Sequence, residues 1–247
     1  MRALVTWLIP YTVMIVSRFG DYKDSRDEAD REPTRLRDGV RAATPVIVPT
    51  LVLGISFGVL AEPVMGEVAP VVMSIVVFAG SAQFAALSVL AAGGGAGPAI
   101  LSGLLMNARF LPMGFAVGAS LPGGPVARGA QGQAVVDASF VLANRGDGGF
   151  DRDVLFGATV AQGAAWILGT VVGVVGGAAI AEPERFGLDA IFPAFYLALL
   201  VEEARSRSAV AAAALGALIA IALIPVAPPG VPVIAASAAA LLGLRRS

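Results

Sequence analysis

The sequence has 247 residues and contains neither cysteine nor histidine. Without cysteine there is no disulfide and no thiolate nucleophile, and without either residue a typical zinc site has no ligands. A serine nucleophile would also lack the histidine that acts as its base. The sequence therefore predicts that the protein is not an enzyme and uses no metal or cofactor.

Charge is also scarce. Charged residues make up 14% of the sequence, against about 25% in soluble domains, while hydrophobic residues make up 57%. Residues 1–41 hold 15 of the 35 charged residues, so the rest of the chain is poorer still. The net charge of −1 gives no basic field for nucleic acid. We therefore divide the chain into an N-terminal extension, 1–38, and a membrane transport domain, 39–247, that lies in the lipid bilayer.

Apolar runs of about 20 residues, the length that a helix needs to cross a bilayer, recur along the membrane domain. In lipid each run must satisfy its own backbone hydrogen bonds, which favours helices. The predicted fold is an all-α, polytopic membrane bundle of about seven or eight segments. Five segments are long, two are short and one is doubtful. They are 42–61, 68–92, 98–121, 154–181 and 208–227, then 188–201 and 230–244, and finally 130–144.

The distribution of arginine favours a crossing by the doubtful segment, 130–144. If it crosses and the N-terminus is cytoplasmic, nine loop arginines lie inside and only Arg128 and Arg185 lie outside, as the positive-inside rule requires. The sequence thus predicts a multi-pass protein of the cytoplasmic membrane with both termini in the cytoplasm. The N-terminal extension consists of a short apolar run and a mixed-charge linker that is expected to be disordered.

The second predicted segment contains Phe-Ala-Gly-Ser-Ala-Gln-Phe in its middle. Gly80 and Ser81 permit a kink or a break, and Gln83 brings two donors and an acceptor where lipid offers no partner. A broken helix would leave backbone groups for a polar ligand, with Phe78 and Phe84 as apolar walls. The alternative is that Gln83 makes an interhelical hydrogen bond that only stabilises the bundle.

Asn107 and Arg109 fall near the centre of the third predicted segment, where a charged side chain cannot reach either surface. Arg109 stays protonated, so it cannot carry a proton but can hold a carboxylate with two hydrogen bonds. Asp137, within 130–144, is the other charge expected inside the membrane. A pair between the two residues is the economical arrangement. Asp137 is then either a proton-coupling residue or half of a static ion pair.

Pro193 and Phe195 belong to the short segment 188–201. Pro193 removes one backbone donor and frees a carbonyl group one turn earlier. Breaks near Gly80 and Pro193 would lie in the two halves of the chain, an arrangement used by transporters built from inverted repeats. Proline near a helix start is also common for local reasons.

Glycines spaced four apart occur in three segments and place small residues on one helix face. We expect them to pack helices closely rather than to bind substrate. They are Gly54 and Gly58, Gly114 and Gly118, and Gly169, Gly173 and Gly177.

Five motifs occur in the order seen in the AzlC-type branched-chain amino acid permeases, which the chain resembles over roughly residues 38–247. The Ala-Gly-Ser-x-Gln-Phe element is the most specific of them. The resemblance implies export of branched-chain amino acids, often together with a small membrane partner of the AzlD type. The motifs are Gly-Ile-Ser-Phe-Gly at 54–58, Phe-Ala-Gly-Ser-Ala-Gln-Phe at 78–84, Asn-Ala-Arg at 107–109, Asp-Ala-Ser-Phe at 137–140 and Phe-Pro-Ala-Phe at 192–195.

Two positions depart from the family pattern. The histidine that usually follows the arginine is Phe110 here, and the glutamate that usually follows the aspartate is Ala138. Both missing groups can ionise, so a proton path would depend on Asp137 alone.

The leading interpretation is a secondary transporter that exports a small zwitterion. A passive channel or a non-transporting membrane subunit would have the same composition. An intramembrane hydrolase is disfavoured because Ser81 has no histidine partner and Asp189 lies among other charges at a segment edge. The predicted substrate-binding residues are Gly80, Ser81, Gln83, Phe84, Asn107, Arg109, Pro193 and Phe195, with Asp137 as the proton-coupling residue.

Overall fold

The computed structural model describes residues 35–145, 148–177, 197, 200–201, 207–228 and 230–240. Within these residues the chain is helical and forms no strand, which confirms the all-α class. The helices are α1 (Leu36–Met65), α2 (Val68–Val76), α3 (Gly80–Ala91), α4 (Ala96–Asn107), α5 (Phe110–Gly118), α6 (Pro125–Gly132), α7 (Asp137–Ala143), α8 (Arg152–Gly177), α9 (Arg207–Leu223) and α10 (Val231–Ser237). A short 3-10 turn, Ala238–Ala240, follows α10.

Two of the described helices, α1 and α8, are long and apolar enough to cross a membrane. They correspond to the predicted segments 42–61 and 154–181. A third span is present if α4 and α5, which meet at a bend of 46°, are taken together. Helices α3 and α9 are apolar but have only 12 and 17 residues. The described residues thus contain two or three candidate spans, and they do not confirm the predicted seven or eight.

Several predicted segments are interrupted in the structure. Segment 68–92 consists of α2 and α3, so the break predicted within it is present. Segment 98–121 was expected to be one helix and is instead α4 and α5. Segment 130–144 contains the end of α6, a non-helical stretch and α7. Only α10 and its 3-10 turn are described within 230–244, and most of 188–201 lies outside the described residues.

The described residues form two compact units. The first combines 35–52 with 110–165, and the second combines 53–109 with the described residues from 166 onward. The core of the first unit draws apolar side chains from α1, α5, α7 and α8, including the fully buried Val117 and Leu155. Burial of such side chains contributes about 1.5–3 kcal/mol each relative to exposure in water.

Asp151 organises the connection between α7 and α8 in the first unit. Its side chain is buried, and its Oδ1 accepts a hydrogen bond of 3.0 Å from the Val154 N–H at the start of α8. Arg145 lies 3.6 Å from the other carboxylate oxygen. This helix cap satisfies one of the unpaired N–H groups that every helix start exposes.

In the second unit, α1 and α8 approach so closely that glycine is required between them. Gly54 lies against Gly169, and Gly58 lies against Gly173. A Cβ atom added at Gly58 would overlap the main-chain oxygen of Thr170. Residues that come later in α1 contact residues that come later in α8, so the two helices are parallel. The predicted close packing is confirmed at these positions.

The glycine prediction is not confirmed for α5 within the described residues. A Cβ atom added at Gly114 or Gly118 would meet no described atom within 4 Å. Conversely, Gly39 and Gly157 of the first unit make backbone contact between α1 and α8. Sequence analysis missed this pair because neither glycine has a second glycine four residues away on its helix, which is the spacing that indicated close packing elsewhere.

Candidate functional site

The helical backbone is interrupted between α2 and α3, in the middle of the second predicted segment. Val77 closes α2 with a hydrogen bond from its N–H to the Met73 carbonyl (2.9 Å). Phe78 then adopts a φ of 41°, the only positive value of a non-glycine residue in the described part of the chain. Such a conformation costs about 1–3 kcal/mol and needs support from its surroundings. Ala79 is extended and has no side chain to cap α3, which begins at Gly80.

A second break separates α4 from α5. Helix α4 ends at Asn107, α5 begins at Phe110, and the two axes are bent by 46°. Arg109 therefore lies in the break, not in the middle of a continuous helix as the sequence analysis expected. Pro112 explains the difference, because it has no N–H for the Ala108 carbonyl and its ring clashes with that carbonyl group.

Helices α3 and α4 form a hairpin that brings the two breaks to the same end. Each helix has 12 residues, and the four residues 92–95 connect them. Gly93 adopts a φ of 81°, and the Gly94 N–H donates to the Val89 carbonyl. This is the Schellman motif, in which a glycine commonly ends a helix. Gly103 allows close packing, since a Cβ atom there would lie 3.4 Å from the Ala82 oxygen. Equal lengths make the start of α3 a neighbour of the end of α4.

The structure joins two of the predicted site elements at this end of the hairpin. Arg109 Nη2 donates a hydrogen bond of 2.9 Å to Ser81 Oγ, and the contact is partly buried. Arg109 follows the negative end of the α4 dipole, whereas Ser81 lies in the first turn of α3, where the dipole is positive. A guanidinium group and a helix N-terminus next to each other both favour an anion.

Gln83 belongs to a buried polar network on the other side of α3. Its Nε2 donates to Ser74 Oγ (3.0 Å), which also accepts the indole N–H of Trp166 (3.1 Å). Ser74 Oγ lies 2.9 Å from Thr170 Oγ1, and Thr170 donates to the Trp166 carbonyl (2.9 Å). The network therefore links α2, α3 and α8 in the second unit.

Three aromatic rings pack beside this network. Phe57 and Phe84 are fully buried, with ring centroids 5.5 Å apart in an edge-on arrangement. Trp166 stacks on Phe57 at 6.0 Å and meets Phe84 edge-on at 6.1 Å. Phe84, predicted as a wall of the binding site, belongs to this core. A Cβ atom at Gly80 would lie 2.9 Å from the Trp166 ring, so Gly80 also serves the packing of that ring.

Three side-chain oxygen atoms of the second unit are buried without a hydrogen-bond partner among the described residues. They are Gln83 Oε1, Ser102 Oγ and Asn107 Oδ1. Buried polar atoms are nearly always paired, and an unpaired one costs about 1–3 kcal/mol. Gln83 and Asn107 were predicted as binding residues, and the unpaired oxygens are consistent with that role.

Asp137 lies in the first unit, in the first turn of α7. It follows a non-helical stretch in which the Ala134 carbonyl accepts hydrogen bonds from Ser139 (2.7 Å) and from Thr159 (2.5 Å). Arg109 belongs to the second unit, so the ion pair between Arg109 and Asp137 stays a prediction. Pro193 and Phe195 lie outside the described residues.

Sequence analysis missed four polar or aromatic residues of the second unit, namely Ser74, Ser102, Trp166 and Thr170. Each lies inside an apolar segment, which is a signal in principle. The signal is weak because serine and threonine in helices often bond only to a carbonyl of the preceding turn. Only the folded structure brings Ser74 and Thr170 together, 96 residues apart in the chain.

A protein-family model described as AzlC protein matches residues 45–180, which is more than half of the chain. The matched range includes both breaks of the hairpin and Asp137, but not Pro193 or Phe195. No curated protein and no solved structure gives a significant match. The family is one of transporters rather than enzymes, and a membrane transporter agrees with the apolar helices and the candidate spans described above. The chain belongs to the AzlC family of membrane transporters for amino acids.

Proposed function

We propose that this protein is a secondary transporter that exports small aliphatic, branched-chain amino acids across the cytoplasmic membrane. The proposal depends mainly on one observation, the hydrogen bond between Arg109 and Ser81 where the two helix breaks meet. The resemblance to the AzlC-type permeases supplies the direction of transport, the branched side chain of the substrate and the location in the cytoplasmic membrane.

The substrate carboxylate would bind at the end of the hairpin. Arg109 can offer two parallel N–H groups to a carboxylate, and Ser81 already orients one of its nitrogens. The first turn of α3 adds main-chain N–H groups and a positive dipole end, which Ala79 does not cap. Together these groups replace the water that a carboxylate loses when it enters the membrane.

The depth of the site suits alternating access. A helix of 12 residues is about 18 Å long, and the hydrocarbon core of a bilayer is about 30 Å thick. With the 92–95 turn at one membrane surface, the two breaks would lie near the middle of the membrane. Transporters commonly bind their substrates at broken helices at this depth.

The side-chain specificity and the coupling are assigned to Phe78, Phe84 and Asp137. Phe78 lies at the break itself, and Phe84 packs beside it, so small conformational changes there would open an apolar pocket. Asp137 is the proposed proton carrier, since it lies in the first turn of α7 after a non-helical stretch. The resemblance to the AzlC-type permeases also suggests a small membrane partner of the AzlD type.

The purified protein is expected to bind valine more tightly than analogues that lack its carboxylate or its ammonium group. Arg109 and the α3 N-terminus need a carboxylate, so 2-methylpropylamine should bind at least about 10-fold more weakly, because one charge-assisted hydrogen bond is worth about 1.5–3 kcal/mol. Isothermal titration calorimetry of the protein, alone and with a co-expressed AzlD-type partner, measures this directly.

Active export is tested in vesicles loaded with labelled valine that contain the protein either alone or with the AzlD-type partner. A requirement for an ion gradient identifies a coupled transporter, whereas gradient-independent leakage would identify a passive channel. If valine neither binds nor leaves the vesicles in either preparation, the proposed substrate class is wrong.

The parallel packing of α1 and α8 supports the predicted topology. Both helices are long enough to span the membrane, so the end of α1 and the start of α8 lie on opposite sides. The chain between Glu67 and Asp153 must then cross an odd number of times. Segments 68–92 and 98–121 supply two crossings, and a third by 130–144 makes the number odd.

Single cysteines at Glu67 and Asp153 are therefore expected to react with a membrane-impermeant maleimide from opposite sides. The native sequence has no cysteine, so each variant carries one labelling site and the parent protein is the blank. Right-side-out and inside-out vesicles distinguish the sides. With a cytoplasmic N-terminus, Glu67→Cys reacts from outside and Asp153→Cys from inside. Labelling of both from one side would exclude a crossing by 130–144.

A further inference from the structure

Gln83 presents a buried oxygen that no described residue uses. The side chain is fully buried, its Nε2 donates to Ser74 Oγ, and its Oε1 has no hydrogen-bond partner among the described residues. A buried amide oxygen that stays unpaired destabilises the fold, because it has lost its water without gaining a partner. A ligand that donates a hydrogen bond would remove this cost.

The hydrogen bonds around Ser74 give each hydroxyl a direction. Its oxygen accepts two N–H groups, from Trp166 and from Gln83, which occupy both lone pairs. The single hydrogen of the Ser74 hydroxyl therefore goes to Thr170 Oγ1. Thr170 in turn donates its own hydrogen to the Trp166 carbonyl.

This arrangement couples the orientation of the Gln83 amide to the direction of the Thr170 hydroxyl. If the amide turned by 180°, its oxygen would face Ser74 Oγ. Ser74 could donate to it only if Thr170 gave up its hydrogen bond to the Trp166 carbonyl and donated to Ser74 instead. Without that exchange, two acceptors would lie about 3 Å apart, the distance that now separates Ser74 Oγ from Gln83 Nε2. The network thus holds Gln83 with its NH₂ group towards Ser74 and its oxygen away from it.

The Gln83 amide also lies near the break. Gln83 is in the first turn of α3, and side chains of a helix lean towards its N-terminus. The same helix end carries Ser81 and its contact with Arg109 on another side. One end of α3 therefore has groups for an anion on one side and a held acceptor on the other.

We propose that Gln83 Oε1 accepts a hydrogen bond from the ammonium group of the substrate, and that Ser74, Thr170 and Trp166 are positioning residues that keep this oxygen available. The inference rests on the proposed function, since it assumes an amino acid at the break. It adds a reason for selecting amino acids over simple carboxylates, which the Arg109 contact alone cannot supply.

The test compares Thr170→Val with Thr170→Ser. Valine has the shape of threonine without its hydroxyl, so Ser74 regains a free hydrogen, and the Gln83 amide can turn to present its NH₂ group. Serine keeps the hydroxyl and the network. The measured quantity is the ratio of two inhibition constants, one for 3-methylbutanoate and one for unlabelled valine, each as a competitor of labelled valine. A general loss of stability would not change this ratio.

The wild type and Thr170→Ser are expected to prefer valine, and Thr170→Val is expected to lose this preference by about 10- to 100-fold, the range for a hydrogen bond to a charged group. Gln83→Met removes the acceptor without touching the hydroxyls, and should lose the preference to the same extent. If Gln83→Met discriminates as well as the wild type, the inference is wrong. If the wild type itself does not bind valine, the proposed function fails instead.

Discussion

Arg109→Ala is expected to reduce valine transport about 100-fold, measured as kcat/KM in proteoliposomes. Arg109 would supply charge-assisted hydrogen bonds to the carboxylate, each worth about 1.5–3 kcal/mol, and 1.4 kcal/mol corresponds to a factor of ten. Arg109→Lys keeps the charge but loses the planar pair of N–H donors, so an intermediate loss of about 10-fold is expected. Because the main-chain groups of α3 remain, neither change should abolish binding completely.

Arg128→Ala is the matched control for the Arg109 variants. Arg128 is an exposed arginine of α6 in the first unit, so its removal should leave transport within about twofold of the wild type. Folding of each variant is checked by size-exclusion chromatography in detergent. A folded Arg109→Ala protein that transports valine as well as Arg128→Ala does would remove Arg109 from the binding site.

Gly58→Ala is expected to destabilise the protein by about 3 kcal/mol, through overpacking of two helices that cannot separate without losing other contacts. The added Cβ atom would overlap the Thr170 carbonyl oxygen, which belongs to the backbone and cannot rotate away. The gain in helix propensity, about 1 kcal/mol for glycine to alanine, is smaller. Thermal unfolding in detergent, followed by tryptophan fluorescence, measures the change because Trp166 lies in the same unit.

Gly114→Ala provides the control with the same chemical change. Gly114 also lies inside an apolar helix, but an added Cβ atom meets no described atom within 4 Å. Its substitution should be neutral or slightly stabilising, since only the propensity term remains. Equal melting temperatures for the two variants would contradict the close approach of α1 and α8.

The features that were predicted correctly from sequence are those set by residues close together in the chain. The apolar runs around residues 42–61 and 154–181 predicted α1 and α8, because a helix in lipid needs only its own backbone partners and enough apolar length. The break near Gly80 followed from the local pair of glycine and serine, although the structure interrupts the helix slightly earlier, at 77–79.

The second break was missed, although its signal was present. Pro112 cannot donate to the carbonyl four residues before it, and this should have indicated an interruption near Ala108. The length of the apolar run concealed it, because proline is tolerated inside many membrane helices. As a result Arg109 was placed in the middle of a helix, where its charge was assigned to a substrate carboxylate or to a pair with Asp137.

By itself the sequence determined that the chain is helical, lies in a membrane and carries few polar groups there, since these properties follow from local hydrophobicity and from backbone hydrogen bonding. Only the tertiary structure decided which of those polar groups meet. Ser81 and Arg109 are 28 residues apart, and Ser74 and Thr170 are 96 residues apart. Their contacts depend on how far each helix is rotated and where it ends against its neighbour. That rotation results from packing over the whole interface, which no local pattern specifies.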